Sequence, residues 1–508
     1  MSKSTPDPII VVGAGPTGLA LACDLYRRGV PCRVVEAAGE RGTRSKAIAI
    51  WPRVLEILDG LGVAEAAVRR GVRLHGSTVW SRGRPALGFR LDTLRTRFPF
   101  GLVLPQYETE ALLERRLADL GGKVERGMRC VAVRQEGRAV SVRLAHPSGA
   151  EEATAAWVVG CDGAASAVRE SAGIRMHQRL EPAGWIAADV RLDTALDPDG
   201  VNYFLAGGRV LHVVPLLDRG PDGMLWRITM NVGRVRPDPD EWPLERLAAQ
   251  AARRAAVPLR VTEAQWVTGF RVRQGLAAHF RDNRVLIAGD AAHVHSPAGA
   301  QGINAGLQDA ANLGWKLARV ALGRAGDELL TSYDTERRPA ARATVRATDR
   351  ATRAGTLRLP AAVAARDALW RFAQRRDLIE RRVVPALAGL SARQPRSTVM
   401  AAPRVRLLTE ASLSAGSRLP DVRVGDDALW DLLAPLDYTI LLPGRQHFDK
   451  AEAARLPAGI RVVDDPSGRL AEALGLRGAA LIVVRPDRYI ALRGPADRPD
   501  LAARLIPV

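Results

Sequence analysis

Apolar positions first cluster at residues 9–12, a four-residue run that ends in Gly13. Behind it Leu19, Leu21, Ala22 and Leu25 recur at helical spacing as far as Gly29, and residues 31–35 supply a second apolar run. This strand, helix and strand within about 30 residues predict a β-α-β unit. Gly29 suits a left-handed helix end, and Arg27 and Arg28 complement the negative end of the helix. Helical periodicity returns at 52–61 and 108–120, 123–144 reads as strands, and a buried strand at 156–159 leads into Gly160-Cys161-Asp162-Gly163.

From 185 to 273 the pattern changes to alternation, clearest at 210–215 and 225–232, which predicts a separate sheet over which a substrate pocket can be built. An apolar strand at 284–288 meets Gly289-Asp290, a long helix is expected over 302–322, and Ala and Arg favour helix over 334–390. Residues 391–403, rich in Ser, Pro and Arg, read as a linker. Beyond them, apolar runs at 438–442, 460–463, 479–484 and 489–492 predict a small α/β unit. The organisation expected is a discontinuous dinucleotide-binding domain over 1–180 and 275–390, a middle sheet domain over 181–274 and a third domain over 404–508.

At 508 residues, several cores are expected, and 47% hydrophobic with 25% charged residues is the balance of an ordinary globular protein. The net charge of +19 raises the question of a nucleic-acid or membrane partner, but the arginines are scattered and never run five together, so neither is expected. Cys23, Cys32, Cys130 and Cys161 form neither a C-x-x-C pair nor a zinc spacing and read as buried thiols of a reducing compartment. The polar opening residues and short first apolar run do not make a signal or membrane segment, and a cytoplasmic protein is expected.

The chemistry concentrates in two turns. Gly13-Ala14-Gly15-Pro16-Thr17-Gly18 joins a strand to a helix, where Gly13 permits the turn, Gly15 admits a pyrophosphate to the backbone and Gly18 lets helix and strand approach. Glu36 ends the second strand where a carboxylate accepts from ribose hydroxyls and repels a 2′-phosphate, which disfavours NADP there. The second turn, Gly289-Asp290, places a carboxylate to accept from a polyol, and only the flavin dinucleotide has a ribityl chain, so FAD is preferred over NAD. Pro297 to Asn304, with Gly302 and Ile303, opens a helix whose N–H groups can approach a ring and stabilise negative charge on it.

These motifs, with Trp157 to Arg169 and Arg284 to Lys316, resemble the single-component FAD-dependent aromatic hydroxylases, especially those acting on polyketides and phenols. Thr43-Arg44-Ser45-Lys46-Ala47, followed by Pro52-Arg53 and Leu55-Glu56, resembles the same family, and the likeness runs to about residue 390. The part after 403 resembles the thioredoxin-like domain of the polyketide hydroxylases through Val484-Arg485-Pro486-Asp487, although Arg488 stands where that family often has Gly. With no C-x-x-C, that domain is expected to be redox-inert.

The resemblance implies that Arg44 and Gln106 contact FAD, Val131 backs the adenine, Asp290 holds the ribityl chain, and Asp162 serves both FAD and nicotinamide. It further implies NADPH or NADH as a transient donor, O2 and an aromatic substrate as partners, hydroxylation through a C4a-hydroperoxyflavin, and a monomer or homodimer. Other readings stay open: a Baeyer-Villiger oxygenase or an oxidase on the same scaffold, or a non-catalytic flavin- or aromatic-ligand-binding protein. A halogenase is disfavoured by the absence of its W-x-W-x-I-P signature. No catalytic acid or base is assigned. His293 and His295 read as structural hydrogen-bonders, whereas Tyr203, His212, Trp226 and Asn231 are candidates for a pocket, with alternation sending about half of them the wrong way. Arg271 and Arg273 are candidates to supply positive potential to a phenol.

Overall fold

The first β-α-β unit sets the architecture. Ile9–Val12, Cys32–Glu36, Val124–Arg126, Trp157–Gly160 and Val285–Ile287 form a parallel sheet, closed at one edge by antiparallel Arg281–Asp282. Every residue of Ile9–Val12 is buried, as a central parallel strand covered on both faces requires. The computed structural model describes residues 8–45, 47–216, 224–233, 238–397, 399–400, 413–444, 456, 459–476, 478–496, 501–502 and 506. The polar opening segment 1–7, Lys46 and linker positions 398 and 401–403 lie outside them.

Helix Pro16–Arg27 starts directly at the first turn and packs against the long helix Gln301–Ala321. Glycines make that approach possible. A β-carbon on Gly306 would lie 2.3 Å from Thr17 Oγ1, and one on Gly314 would lie 2.3 Å from Asp24 Oδ2. The two helices thus tie the N-terminal turn to the Gly289-Asp290 turn, far later in the chain.

A second, eight-stranded sheet forms the roof. Its two longest strands, Met176–Thr194 and Leu259–Ala277, pair antiparallel along their length, with shifts of register that bend them. One face is packed by Ile186, Phe204, Leu211, Trp226, Ile228 and Met230 against helix Leu244–Ala252. The other face looks down on the parallel sheet's two turns. Besides the expected middle strands, this sheet takes in the hairpin Gly76–Ser81 and Arg84–Arg90, which the sequence reading leaves in the first domain. The pairing partner of Gly76–Ser81 is Gly200–Ala206, far away in sequence, so local pattern carries no sign of it. Short strands Ala49–Ile50, Val72–Leu74 and Gly101–Val103 form a further small sheet that the apolar pattern does not mark out.

The helical stretch resolves into Glu328–Gly355 and Pro360–Arg375 followed by shorter turns. The linker is tethered to the protein along its described part: Gln394 N donates to Gly416 O at 2.8 Å and Ser397 Oγ to Glu336 Oε1 at 2.8 Å, while Val399 and Met400 are buried. The last unit holds a four-stranded sheet in the order Arg461–Asp465, Thr439–Pro443, Ala480–Val484, Ile490–Pro495, the first pair parallel and the others antiparallel. Its core includes Trp315 of the long helix, which meets Tyr438 edge-on at 5.7 Å, so it shares apolar contacts with the first domain.

Candidate active site

Three chain segments converge at the first turn. Gly13 takes φ +102°, its N–H donates to Val35 O at 2.8 Å, and a β-carbon there would lie 2.4 Å from Cys161 O. A β-carbon on Gly18 would lie 2.0 Å from Gly13 O, so any side chain at either position pushes strand and helix apart. Gly15 differs: nothing lies within 4 Å of its would-be β-carbon, which leaves its backbone open at the N-terminus of helix Pro16–Arg27. Unpaired N–H groups and the helix dipole there suit an anion.

Glu36 braces this turn. Its Oε2 accepts from Ala14 N at 2.8 Å and its Oε1 from Ala38 N at 2.9 Å, leaving further lone pairs for a ligand. Val131, 44% exposed on strand Arg129–Glu136, is an uncovered apolar wall on the strand that begins just after Met128 bonds the Glu36 carbonyl. Asp162 caps helix Ala167–Ser171 through Val168 N at 3.2 Å, and its Oδ1 is buried without a partner among the described residues. Burial pushes the Asp162 carboxyl up from its ordinary range.

At the second turn, Gly289 takes φ +62° and a β-carbon there would strike Thr17. Asp290 beside it points into open space and has no hydrogen-bond partner among the described residues. The protein crowding around it raises its carboxyl, and His293 opposes that shift. Gly299 and Ala300 then take left-handed conformations, φ +72° and +52°, which turn the start of helix Gln301–Ala321 toward the same space.

That space is one continuous cavity of about 780 Å³, within the range of about 300–1,000 Å³ usual for ligand pockets. Of the residues expected from sequence, it is lined by Gly15, Pro16, Thr17, Arg44, Gln106, Asp290, Pro297, Gly302 and Ile303. Arg44 is exposed at it with no ion-pair partner among the described residues, while Gln106 spends Nε2 on Glu110 at 2.8 Å. Gly13 and Gly18 act from behind the wall. Glu36, Val131 and Asp162 do not line it, and neither does Asn304. Its Oδ1 accepts from Trp51 N at 2.8 Å, and its Nδ2 donates to Ala49 O at 2.9 Å and Ala300 O at 2.7 Å, which consumes the amide and pins the left-handed turn.

The opposite wall is the inner face of the eight-stranded sheet. Tyr203 and His212, directly paired across two strands with rings 4.6 Å apart, line the cavity with Thr229, Trp266 and Phe270. Burial pushes the Tyr203 phenol up to about 12 and the His212 imidazole down to about 4. Trp226 faces the other way into the apolar core, and Asn231 is occupied by Val210 N and Gly208 O at 2.8 and 2.9 Å. Arg271 and Arg273 both line the cavity.

Sequence reasoning missed Arg227, which lies against Asp189 and over Trp266 at 4.8 Å, donates to Ser45 O at 2.9 Å, and lines the cavity. An arginine in the middle of an apolar strand was the available signal. His293 is structural, with Nε2 2.6 Å from Asp309, itself paired to Arg337 at 2.7 Å. His295 lines the cavity, approaches Ser296 O through Nδ1 at 3.3 Å, and is driven by burial down to about 4.

Comparison with known proteins agrees with this geometry. The family model described as an FAD binding domain matches residues 7–348. The chain is 34% identical to a 6-methylpretetramide 4-monooxygenase of Streptomyces rimosus, over 98% of this chain and 92% of that one. It superposes on the anhydrotetracycline hydroxylase OxyS of the same species with a TM-score of 0.76 at 28% identity, over 97% of this chain and 96% of that one. It is also similar, with a TM-score of 0.76 at 27% identity over 99% of each chain, to PyrE3, a Diels-Alderase of pyrroindomycin biosynthesis.

Proposed function

Since the chain belongs to the FAD-binding domain family and is a flavin-dependent monooxygenase of the aromatic hydroxylase class, we propose that it hydroxylates a phenolic, polyketide-type polycycle with NADPH or NADH and O2. The observation that carries this reading is that the dinucleotide turns and the sheet's inner face bound a single cavity, so ligands on the two sides would be in contact. Bound FAD would supply the oxygen-activating chemistry, and every other role falls to the protein.

The residues present fit FAD. Gly15, Pro16 and Thr17 would receive the pyrophosphate at a helix N-terminus, with Arg44 as its counter-charge. Glu36 and Val131 would hold the adenosine, Asp290 the ribityl hydroxyls, and Gly302 and Ile303 the ring's pyrimidine edge. Asp162 would contribute its unpartnered Oδ1 to the cofactor or the nicotinamide donor.

The substrate would lie under Tyr203, His212, Trp266 and Phe270, where aromatic walls match a planar polycycle. Tyr203 stays a neutral phenol and His212 a neutral imidazole at physiological pH. They can therefore share hydrogen bonds with a substrate hydroxyl without adding charge. Arg271 and Arg273 raise the local positive potential, which favours a phenolate and so an electron-rich ring, whereas the charge of Arg227 is offset by Asp189. Bound substrate and cofactor together would displace water from the reacting face. The buried thiols Cys23, Cys32 and Cys130, all pushed up to about 12 by burial, suit a reducing, cytoplasmic compartment. No helix among the described residues is long and apolar enough to cross a membrane.

The test is to record the visible spectrum of the purified protein, then follow NADH and NADPH oxidation against a panel of polycyclic phenols. A yellow protein, substrate-stimulated oxidation and a product one oxygen heavier are expected. NMR of the product separates ring hydroxylation from ring expansion. A colourless protein that cannot take up added FAD would overturn the reading.

A further inference from the structure

A second cavity, of about 450 Å³, lies where the C-terminal unit meets the far end of helix Pro16–Arg27. At 1.5 Å per residue, Arg28 is about 18 Å along the helix from the cofactor turn, so this space is separate from the active-site cavity. Its walls come from both units: Asp24, Arg27 and Arg28 on one side, Trp430, Arg461 and Arg488 on the other, with Arg53 and Arg97 between.

The charges here do not balance pair by pair. Asp24 serves both Arg27 and Arg28, and Glu56 serves both Arg53 and Arg418. Arg97 meets Asp59, Asp421 and Asp431 at once, an excess of carboxylate at that wall, and Asp487 is engaged by Arg485. Arg488 and Arg461 have no carboxylate among the described residues. Each bonds only backbone oxygen, half-buried Arg488 to Ala434 O at 3.0 Å and exposed Arg461 to Leu432 O at 3.2 Å and Leu433 O at 3.5 Å. A guanidinium carries five donors in a planar fork, so most of each remains unused.

Arg488 also stands in a conformation that a β-carbon makes costly, φ +67°, at the end of Val484-Arg485-Pro486-Asp487 where a glycine would sit without strain. Its guanidinium lies 5.7 Å from the Trp430 ring, which also has those of Arg53, Arg97 and Arg418 within 5.9 Å. Burial and the nearby charges of Arg27, Arg53, Arg28 and Arg97 pull Arg488 down to about 10. An arginine held among cations, in a backbone shape suited to glycine, is explained when a ligand of opposite charge uses it.

We propose that this inter-unit cavity is a binding site for the phosphate group of a small molecule, with Arg488 and Arg461 as its direct ligands. Phosphate is the chemistry that fits: it is a compact dianion for two uncompensated guanidinium groups, and each fork can engage two of its oxygens. The site bridges the two units, so occupancy strengthens their docking. It is independent of the flavin reading, since no residue of it lines the larger cavity.

The test uses the intact flavin-loaded protein at constant ionic strength. Inorganic phosphate and adenosine 2′,5′-bisphosphate are titrated separately, with chloride as control, by calorimetry and thermal melting. Saturable binding at one site per chain with a rise in melting temperature is expected from at least one of the two. Binding of both at similar affinity identifies a free-phosphate site; binding of the bisphosphate alone identifies a nucleotide site if Arg488→Gly weakens it, and the donor's place beside the flavin if the variant keeps it, which overturns the proposal. Arg488→Gly, which relieves the backbone and so keeps the fold, is expected to weaken that binding at least tenfold while the flavin spectrum stays unchanged. Arg488→Lys is expected to recover part of it. The proposal is overturned if neither anion binds saturably, or if the glycine variant binds as tightly as the parent.

Discussion

At the scale of single residues, the site is built from side chains left without partners. Asp290, exposed at the cavity, accepts nothing among the described residues, and hydrogen bonds to a charged group contribute about 1.5–3 kcal/mol. Asp290→Ala is therefore expected to weaken FAD binding about 10- to 150-fold, the same energy expressed as affinity. Ultrafiltration of the yellow cofactor from parent and variant measures it. The two cavity histidines set an acid limit. His212 and His295 are both lowered from 6.5 to about 4 by burial, so between these values the unfolded chain binds protons that the folded one does not. Stability is expected to fall as pH drops from about 6.5 toward 4. Melting temperature across that window, compared with His295→Gln, should show a shallower acid slope in the variant. Gly13 and Gly18 were legible as turn and close-approach glycines, and Asp290 as a carboxylate at the cavity, because type and spacing state those roles locally. The hydrogen bonds of Asn304 to Trp51, Ala49 and Ala300 were not legible, because an amide's partners are set by folding.

At the scale of elements, phase decides function. Strand Leu225–Val232 sends Trp226, Ile228 and Met230 into the core and Arg227 and Thr229 to the cavity, so a reading one residue out of phase names the wrong wall. Alternation showed that a strand was present; which face met the cofactor depended on the sheet's placement. Helix Gln301–Ala321 carries a second device. Lys316 reaches Glu336 at 2.8 Å on helix Glu328–Gly355, Arg485 of the C-terminal unit reaches the same carboxylate at 2.8 Å, and all three are buried. Both partners hold Glu336 well below the usual carboxylate range. Glu336→Gln leaves buried Lys316 without a carboxylate while Arg485 keeps Asp487, and is expected to cost about 3–5 kcal/mol, read from urea denaturation curves of parent and variant. A loss under about 1 kcal/mol would mean that the network is solvated.

At the scale of the whole molecule, the C-terminal unit is part of the protein's core rather than an appendage. Trp315 and Leu329 of the first domain pack with Tyr438, Ile440 and Leu481, and Arg53 donates to Asp487 O at 2.8 Å. A chain ending at residue 390 is expected to be poorly soluble or to melt well below the intact protein, by size-exclusion chromatography and thermal melting. A truncated chain that is monodisperse and keeps FAD as firmly as the full chain would refute this. The sequence alone determined the two glycine-and-carboxylate turns, their order, the preference for flavin and the strands of the parallel sheet, because those depend on neighbouring residues and on steric limits that a local motif states in full. Only tertiary structure decided that the hairpin at 76–90 completes the roof, that Tyr203, His212 and Arg227 share one wall while Trp226 does not, and that arginines from distant segments gather around Trp430. Pairing and facing across long chain separations arise from packing the whole molecule at once, and no stretch of sequence carries them by itself.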